Sequence, residues 1–309
     1  MTDQLKGIIA IVIACVVWGL SPLFYALVAH VPAGEVFAHR TIWSVVLFTG
    51  VLAVQGRLSD LRGCFADAKT MLILLCASVM IACNWLLFIV SVQIGRVVES
   101  SLGYYIFPLV AVVLGWLLFG EQLSRMQKLC VGLAALAVAT LSFGLGIPPW
   151  IALVLATTFG AYSVLKKFVT LGPVVSVTAE VLLLAPFAVL WLLGLSLEWW
   201  QEGGRAPAVW SMDWRTLVLL MLAGPMTAIP LILFSYSARR VALSTIGVVQ
   251  YLNPTLQFGC AVLIFGEAFT GWHALAFGLI WIAVTLYSVS GYAAERRARK
   301  AAMAVSVVG

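Results

Sequence analysis

His39 and Arg40 stand side by side in a run that is otherwise apolar, VFAHRTIWSVVLFTGVLAV. Histidine exchanges a proton near neutral pH, and a guanidinium binds carboxylates and stacks on aromatic rings. Glu35 lies four residues before His39 and Trp43 four residues after it, so in a helix the three side chains share one face. Two interpretations are open: the charge reaches toward a polar surface, or these groups handle protons or charge in an apolar interior.

Polar and aromatic residues also interrupt other apolar runs. Asn84 and Trp85 are adjacent, and an amide beside an indole can orient a flat polar solute; an interhelical hydrogen bond is the structural alternative. A second group lies near Pro108 and Pro254, and a mixed polar and aromatic lining suits aromatic or amphipathic small molecules. Its members are Tyr104, Tyr105, Gln250, Tyr251, Asn253 and Gln257.

The composition indicates that membrane helices position these residues. Of 309 residues, 63% are hydrophobic and 10% charged, whereas a soluble domain has about 25% charged residues. The net charge of +6 fits basic cytoplasmic loops, and we expect no nucleic-acid partner because no basic stripe lies outside the C-terminal tail. The six cysteines form no CxxC pair, so we expect no disulfide, no metal and no cofactor.

Ten apolar stretches approach the length of about 20 helical residues that a bilayer core requires. Lipid offers no partners to free backbone groups, so each must be a helix. The sixth stretch is short, and prolines interrupt the fourth, eighth and ninth. No small-x-small cleavage pattern follows the first, so we expect a retained helix there. The predicted spans are 7–29, 35–55, 71–94, 98–119, 126–144, 150–166, 175–197, 216–238, 243–265 and 272–292.

The basic residues predict the orientation. Ten spans with a cytoplasmic N-terminus leave only Arg40, Arg96, Arg205 and Arg215 toward the outside, which satisfies the positive-inside rule. We predict a multi-pass protein of the inner (plasma) membrane with both termini in the cytoplasm. The inner basic residues are Lys6, Arg57, Arg62, Lys69, Arg125, Lys128, Lys166, Lys167, Arg239, Arg240, Arg296, Arg297, Arg299 and Lys300.

Landmarks of the first half of the chain recur in the second half. WGLSPLFYAL at 18–27 aligns with FGAYSVLKKF at 159–168 at an offset of 141 residues. A proline is followed twelve residues later by Gly-Glu in both halves, after Pro108 and again after Pro254. Since the two pairs occur in the same order, they indicate an internal duplication.

Each half holds five predicted spans, so the second copy crosses the membrane in the opposite direction, as in many secondary transporters. We predict an all-α polytopic membrane protein of ten transmembrane helices, arranged as two inverted five-helix repeats. The first repeat covers 7–144 and the second covers 150–292, followed by a basic cytoplasmic tail, 293–309.

The repeat adds Glu180 to the candidates. At the offset of 141 residues, His39 corresponds to Glu180, and both lie equally deep in their spans from opposite sides. One interpretation is a gating or proton-coupling pair with one member in each half. The alternative is that each residue fastens its helix to a neighbour.

Four ionisable residues near span ends receive structural interpretations. Arg96 and Glu99 flank the start of the fourth span, which is typical of a surface ion pair or of an acidic helix start. Glu121 and Glu267 end the fourth and ninth spans and are interpreted as turn residues.

Together these features resemble the EamA family of the drug/metabolite transporter superfamily, and within it the RarD branch. The segments that carry the resemblance are AHRTIWS (38–44), CNWLLFIVSV (83–92), ESSLGYYIFPL (99–109) and STIGVVQYLNPTL (244–256). The resemblance implies a ten-helix inner-membrane carrier with a central cavity between its halves. The sequence departs from the branch pattern at Phe107, where the branch has asparagine before the proline.

The function expected from the sequence is secondary transport of a small organic metabolite or drug, by export or exchange through alternating access, with proton coupling as one energy source. A non-transporting assembly or structural subunit is the alternative. The chain is not expected to be an enzyme, because its histidines and carboxylates form no nucleophile–base or metal-ligand set. The expected partners are a small-molecule substrate and the lipid bilayer, and the sequence leaves the oligomeric state open.

Overall fold

The computed structural model describes residues 2–65, 67–120, 122–200 and 213–308, with side chains except at 243, 244 and 294–308. Every regular element in these ranges is helical, and a 3-10 turn, Leu58–Leu61, precedes α4. The α-helices are α1 Asp3–Gly19, α2 Ser21–Leu27, α3 Ala33–Val54, α4 Arg62–Phe65, α5 Ala68–Gln93, α6 Val97–Phe119, α7 Arg125–Leu145, α8 Trp150–Lys166, α9 Pro173–Ser196, α10 Trp214–Ala238, α11 Leu243–Gln250, α12 Leu252–Gly259 and α13 Gly271–Val308.

Eight helical segments of the described chain are long and apolar enough to cross a membrane, with α1 and α2 counted as one segment, Asp3–Leu27. The sixth predicted span forms α8, which has 17 residues and is shorter than each of these eight segments. The ninth predicted span is broken into α11, α12 and a π-helical segment, Cys260–Ile264. The all-helical prediction is thus confirmed for the described chain, while a count of ten spans stays a prediction.

The break in the ninth predicted span has a local cause. Pro254 is the third residue of α12, and proline has no N–H to donate to the carbonyl four residues earlier, at Gln250. Gln250 is the last residue of α11. The following π-helical segment adds a second irregularity, a feature that is frequent at functional sites. In α6, by contrast, Pro108 lies inside a continuous helix.

Helices of the first half pack mainly on helices of the second half. Helix α3 contacts α9 and α10, α5 and α6 contact α8, α1 contacts α10 and α12, and α7 contacts α13. Small residues allow close approach in membrane interfaces: a Cβ at Gly103 of α6 would lie 2.8 Å from the carbonyl oxygen of Ala152 on α8. The two predicted halves are therefore interleaved.

The direction of packing is visible in the core between α3 and α9. Leu52, near the end of α3, shares a buried cluster with Val175 and Ala179 near the start of α9. The two helices are therefore antiparallel, and the beginning of each lies beside the end of the other. The predicted tail from 293 continues α13 as helix through Val308.

Candidate functional site

Arg40 lies inside the bundle and contacts three other helices. It is two turns into α3, which begins at Ala33, and only 6% of it is exposed. Its Nε–H donates to Oγ1 of Thr227 on α10 at 2.6 Å. Its Cζ lies 4.1 Å from the ring centroid of Trp85 on α5 and 5.9 Å from that of Tyr25 on α2. The structure therefore holds a cation against two aromatic rings in a largely buried position.

Asn84, the neighbour of Trp85 in sequence, faces a different helix. Its Nδ2 donates to the carbonyl oxygen of Leu155 at 2.9 Å and to Oγ1 of Thr158 at 3.1 Å, both on α8. Its Oδ1 accepts a hydrogen bond from the hydroxyl of Tyr104 at 2.9 Å. The amide thus makes the interhelical hydrogen bonds that were its structural alternative, and it ties α5, α6 and α8 together.

A row of aromatic rings connects the surroundings of Arg40 and Asn84. Tyr25 meets Phe88 edge-to-face with 5.9 Å between centroids, Phe88 meets Tyr104 at 5.8 Å, and Tyr104 meets Phe159 at 6.1 Å. Edge-to-face pairs at these distances are favourable beyond their buried area. We call these four rings the aromatic row. With Arg40 and Asn84 beside it, the row resembles the mixed aromatic and polar lining of small-molecule sites.

The other candidates on α3 do not share the position of Arg40. His39 is partly exposed, since successive side chains on a helix point about 100° apart. Glu35 is fully buried. The backbone of Trp43 approaches Gly224 of α10 so closely that a Cβ at Gly224 would lie 2.6 Å from the Trp43 carbonyl carbon.

Glu180 lies at the centre of a second polar cluster. Its Oε1 forms an ion pair with Nζ of Lys166 at 2.5 Å, and its Oε2 accepts a hydrogen bond from the Tyr162 hydroxyl at 3.0 Å. Ser176, one turn earlier on α9, donates to Oε1 at 3.1 Å and also accepts from Lys166. The carboxylate side chain is 2% exposed. The cluster is therefore a buried ion pair whose remaining oxygen is also hydrogen-bonded.

The structure does not bring Glu180 to His39. Val181, the next residue, packs on Phe48, which is about two turns beyond Arg40 along α3. Sequence reasoning had assigned Lys166 only to topology and so missed the counter-ion of Glu180. A signal was present: the 141-residue offset aligns Lys166 with Tyr25, the residue whose ring contacts Arg40 in the first half.

A buried thiol lies near this ion pair on the predicted cytoplasmic side. Cys64 belongs to the short helix α4 and is fully buried. Burial raises the pKa of its thiol, while the nearby positive charge of Lys166 lowers the pKa in part. Because only the thiolate is strongly nucleophilic, Cys64 is a packing residue in this setting.

The remaining candidates meet between α6 and α12. Tyr105 and Tyr251 stack with an interplanar angle of 14° and 6.2 Å between centroids. The Tyr105 hydroxyl lies 2.6 Å from Oγ1 of Thr255. Gln257 donates to Oδ1 of Asn253 at 2.9 Å, while its own Oε1 is buried without a partner in the described chain. Gln250, which ends α11, is half-buried.

A pocket of about 220 Å³ opens where α6 and α13 begin, near the start of α8. This is the predicted outer side. Charged side chains, a histidine and apolar groups line it together. Its lining includes Arg96, Glu99, Leu102, Glu267, His273 and Phe277.

Two carboxylates at this pocket cap helix starts. Both oxygens of Glu267 accept backbone N–H groups of α6, from Val97 at 2.6 Å and from Val98 at 2.7 Å. Glu99 accepts the N–H of Ile151 on α8 at 2.7 Å and pairs with Arg96 at 2.9 Å. A carboxylate at a helix start accepts hydrogen bonds from free N–H groups and interacts favourably with the positive end of the helix dipole.

The predicted ion pair of Arg96 and Glu99 is present. Glu267, interpreted as a turn residue of its own span, instead caps the start of α6. Glu121, interpreted as a turn residue, and Arg205, placed on the outer side, lie outside the described residues.

Comparison with known proteins gives the family. The profile of the EamA-like transporter family matches residues 5–143. An uncharacterized transporter of Vibrio cholerae is 35% identical over 97% of this chain and 97% of its own length. Protein RarD of Streptomyces exfoliatus is 38% identical over 91% of this chain and 88% of its own. The chain belongs to the RarD branch of the EamA family.

Membership in this family makes the chain a multi-pass membrane protein and a transporter of the drug/metabolite kind, which confirms that much of the sequence-based expectation. A small-molecule substrate and a lipid environment follow from the same membership. A solved protein crystal structure superposes with a TM-score of 0.58 over 92% of this chain and 96% of that chain. At 19% identity that similarity concerns the fold alone.

Proposed function

We propose that this EamA-family protein is a secondary transporter of the inner membrane that exports or exchanges a small organic metabolite or drug by alternating access. It has ten spans in two inverted repeats, 7–144 and 150–292, with the N-terminus and the tail 293–309 in the cytoplasm. The basic residues of the predicted inner loops support this orientation. The family profile, which matches 5–143, supports the first repeat unit.

The single observation that carries the proposal is the placement of Arg40 and Glu180. Each lies two turns beyond the first residue of its helix, Ala33 for α3 and Pro173 for α9. The two helices are antiparallel, so the two charges are buried at similar depths from opposite ends of the bundle. Charges buried in membrane segments are costly and mark substrate or ion pathways.

In our proposal, the centre at Arg40 binds the solute and the centre at Glu180 forms a gate. Arg40 and Trp85 border the solute site together with the aromatic row. Asn84 positions Tyr104 in that row, and Tyr105 with Tyr251 continues the row across the halves. Glu180 with Lys166 forms a gate on the cytoplasmic side. Because buried carboxylates of membrane segments commonly belong to proton relays, this gate is also our candidate for proton coupling.

Reconstitution into liposomes tests the proposal. Uptake of amino acids, nucleosides and amphenicol-like drugs is measured with and without a pH gradient, against protein-free liposomes. We expect saturable flux of at least one solute class. Absence of flux for every class favours the alternative of an assembly subunit.

Proton coupling is tested separately in the same assay. Glu180→Gln is expected to remove the effect of the pH gradient while solute exchange persists. A pH-gradient effect that survives the double replacement of His39 and Glu180 rejects coupling at these residues. A reporter fused to the C-terminus tests the topology and should read as cytoplasmic.

A further inference from the structure

Arg40 is a buried cation without a described counter-ion. The described ion pairs are Lys6–Asp3, Arg57–Asp60, Arg96–Glu99 and Lys166–Glu180. Arg40 is 6% exposed and takes part in none of them. Removing a charge from water costs several kcal/mol unless a partner compensates it. The buried charge of Glu180, by comparison, is compensated by the partly buried Lys166.

The hydrogen-bonding capacity of Arg40 is also largely unused. A guanidinium has five N–H donors, and the described chain accepts one of them, at Thr227. No described residue accepts a hydrogen bond from the Nη nitrogens, so their N–H groups remain available to a bound ligand.

Free Nη groups in this arrangement present the fork that binds a carboxylate through two parallel hydrogen bonds. The Cζ of Arg40 lies 4.1 Å from the Trp85 ring centroid, and this cation–π contact restrains the position of the guanidinium. Ser44, one turn farther along α3, is fully buried with an unpartnered Oγ. Residues four apart share a helix face, so this unpartnered hydroxyl lies on the same face of α3 as Arg40.

We propose that the transported solute is a small organic anion and that the Nη groups of Arg40 bind its carboxylate or sulfonate group. This inference rests on the proposed transport function and specifies the substrate class of the same site. Tyr25 and Phe88 lie in the aromatic row beside Arg40 and contact the apolar body of the solute. Arg40 alone cannot discriminate among anions, so the aromatic row selects the size and flatness of that body.

A purely structural role for Arg40 is the competing explanation, since its contacts also join α3 to α5 and α10. The two explanations differ in one measurable property, the preference for charge. A site built around a free guanidinium favours an anion over its neutral isostere, whereas a structural fastener gives no such preference.

The test uses the purified full-length protein and two matched pairs of probes, benzoate with benzamide and benzenesulfonate with benzenesulfonamide. Binding is followed by calorimetry and tryptophan fluorescence. In the wild type, each anion should bind at least about tenfold more tightly than its neutral partner, as expected for hydrogen bonds to a charged group. Arg40→Gln should remove the preference, and Arg40→Lys should keep part of it.

Arg240→Gln is the matched control. Arg240 also lies over an aromatic ring, that of Tyr236, at 3.6 Å, but at the exposed end of α10. This variant should keep the preference for anions unchanged. A wild type that binds neither anion better than its neutral partner overturns the inference, whether or not Arg40→Gln folds. A preference that persists in a folded Arg40→Gln variant overturns it as well.

The liposome assay separates this inference from the transport proposal. Saturable flux of an uncharged nucleoside, with no anion bound or carried, leaves the transporter standing and rejects the anionic substrate. Absence of flux for every solute class rejects the transport proposal itself.

Discussion

The Cζ atom of Arg40 lies 4.1 Å from the ring centroid of Trp85, which places the cation of α3 against an aromatic ring of α5. Thr227 of α10 accepts the Nε–H of the same guanidinium. One side chain from the first half therefore connects both halves of the chain. These contacts restrain the guanidinium, and no described residue accepts a hydrogen bond from its Nη groups.

Replacing Thr227 by the isosteric valine should loosen this arrangement. The change removes the acceptor of the Nε–H, and a hydrogen bond to a charged group contributes about 1.5–3 kcal/mol. We expect a lower midpoint of thermal unfolding in detergent and weaker solute binding. Thr157→Val is the control, because the Thr157 hydroxyl is exposed and bonds only within its own helix. Equal losses in the two variants would contradict the role of Thr227.

Breaking the Lys166–Glu180 pair should cost more than breaking a surface pair. Lys166→Met leaves the Glu180 carboxylate buried without its counter-ion, which typically costs about 3–5 kcal/mol. The double variant Lys166→Met with Glu180→Leu should regain part of that loss. Unfolding midpoints of the single and double variants measure the coupling.

Lys6→Met provides the comparison for that ion pair. The Lys6 and Asp3 side chains are 44% and 80% exposed, and exposed pairs contribute about 0–1 kcal/mol. If both lysine variants lower the unfolding midpoint by the same amount, the Lys166–Glu180 pair is not acting as a buried pair.

Glu267→Gln should weaken the start of α6. The amide keeps one acceptor oxygen and loses the negative charge, so one of the bonds to Val97 and Val98 is lost. We expect a destabilisation of about 1–3 kcal/mol, measured by thermal unfolding. The control is Glu198→Gln at an exposed carboxylate after α9, and this variant should unfold like the wild type.

Gly224→Ala should separate α10 from α3. The added Cβ would lie 2.6 Å from both the Cβ and the carbonyl carbon of Trp43, and backbone atoms cannot move aside without shifting a helix. The variant should unfold at a lower temperature and lose solute binding, because Arg40 lies one turn from Trp43. Gly132→Ala, where nothing lies within 4 Å of the new Cβ, should be neutral or stabilising because alanine favours helix. The reverse order of stability would contradict the close packing.

The helical architecture could be predicted because an apolar run of about 20 residues that crosses a bilayer must satisfy its own backbone hydrogen bonds as a helix. Each predicted span has a helix, or pieces of one, at its position. The break at Tyr251 was only partly visible, since Pro254 indicated an interruption but not the π-helical segment after it. The short helix α4 was not predicted, because its residues lie in a loop of mixed composition.

The candidate site was less predictable because side-chain partners come from helices that are distant in sequence. Its charge within an apolar run identified Arg40 as unusual, but the sequence could not name Thr227 as its partner, which is 187 residues away. Lys166 looked like a loop charge because it ends α8, and only the structure shows that its side chain reaches Glu180 on α9. The 141-residue offset paired Glu180 with His39 rather than with Arg40, because an offset relates whole helices and not individual contacts.

The central claim is that a solute site is exposed alternately to the two sides of the membrane. Trans-stimulation in proteoliposomes tests it most directly. Vesicles are loaded with unlabelled solute, and the initial uptake rate of the labelled solute is compared with that of empty vesicles. A carrier should take up label faster into loaded vesicles, since its site returns occupied. An uptake rate that internal solute leaves unchanged or slows, with net flux otherwise intact, would contradict the account.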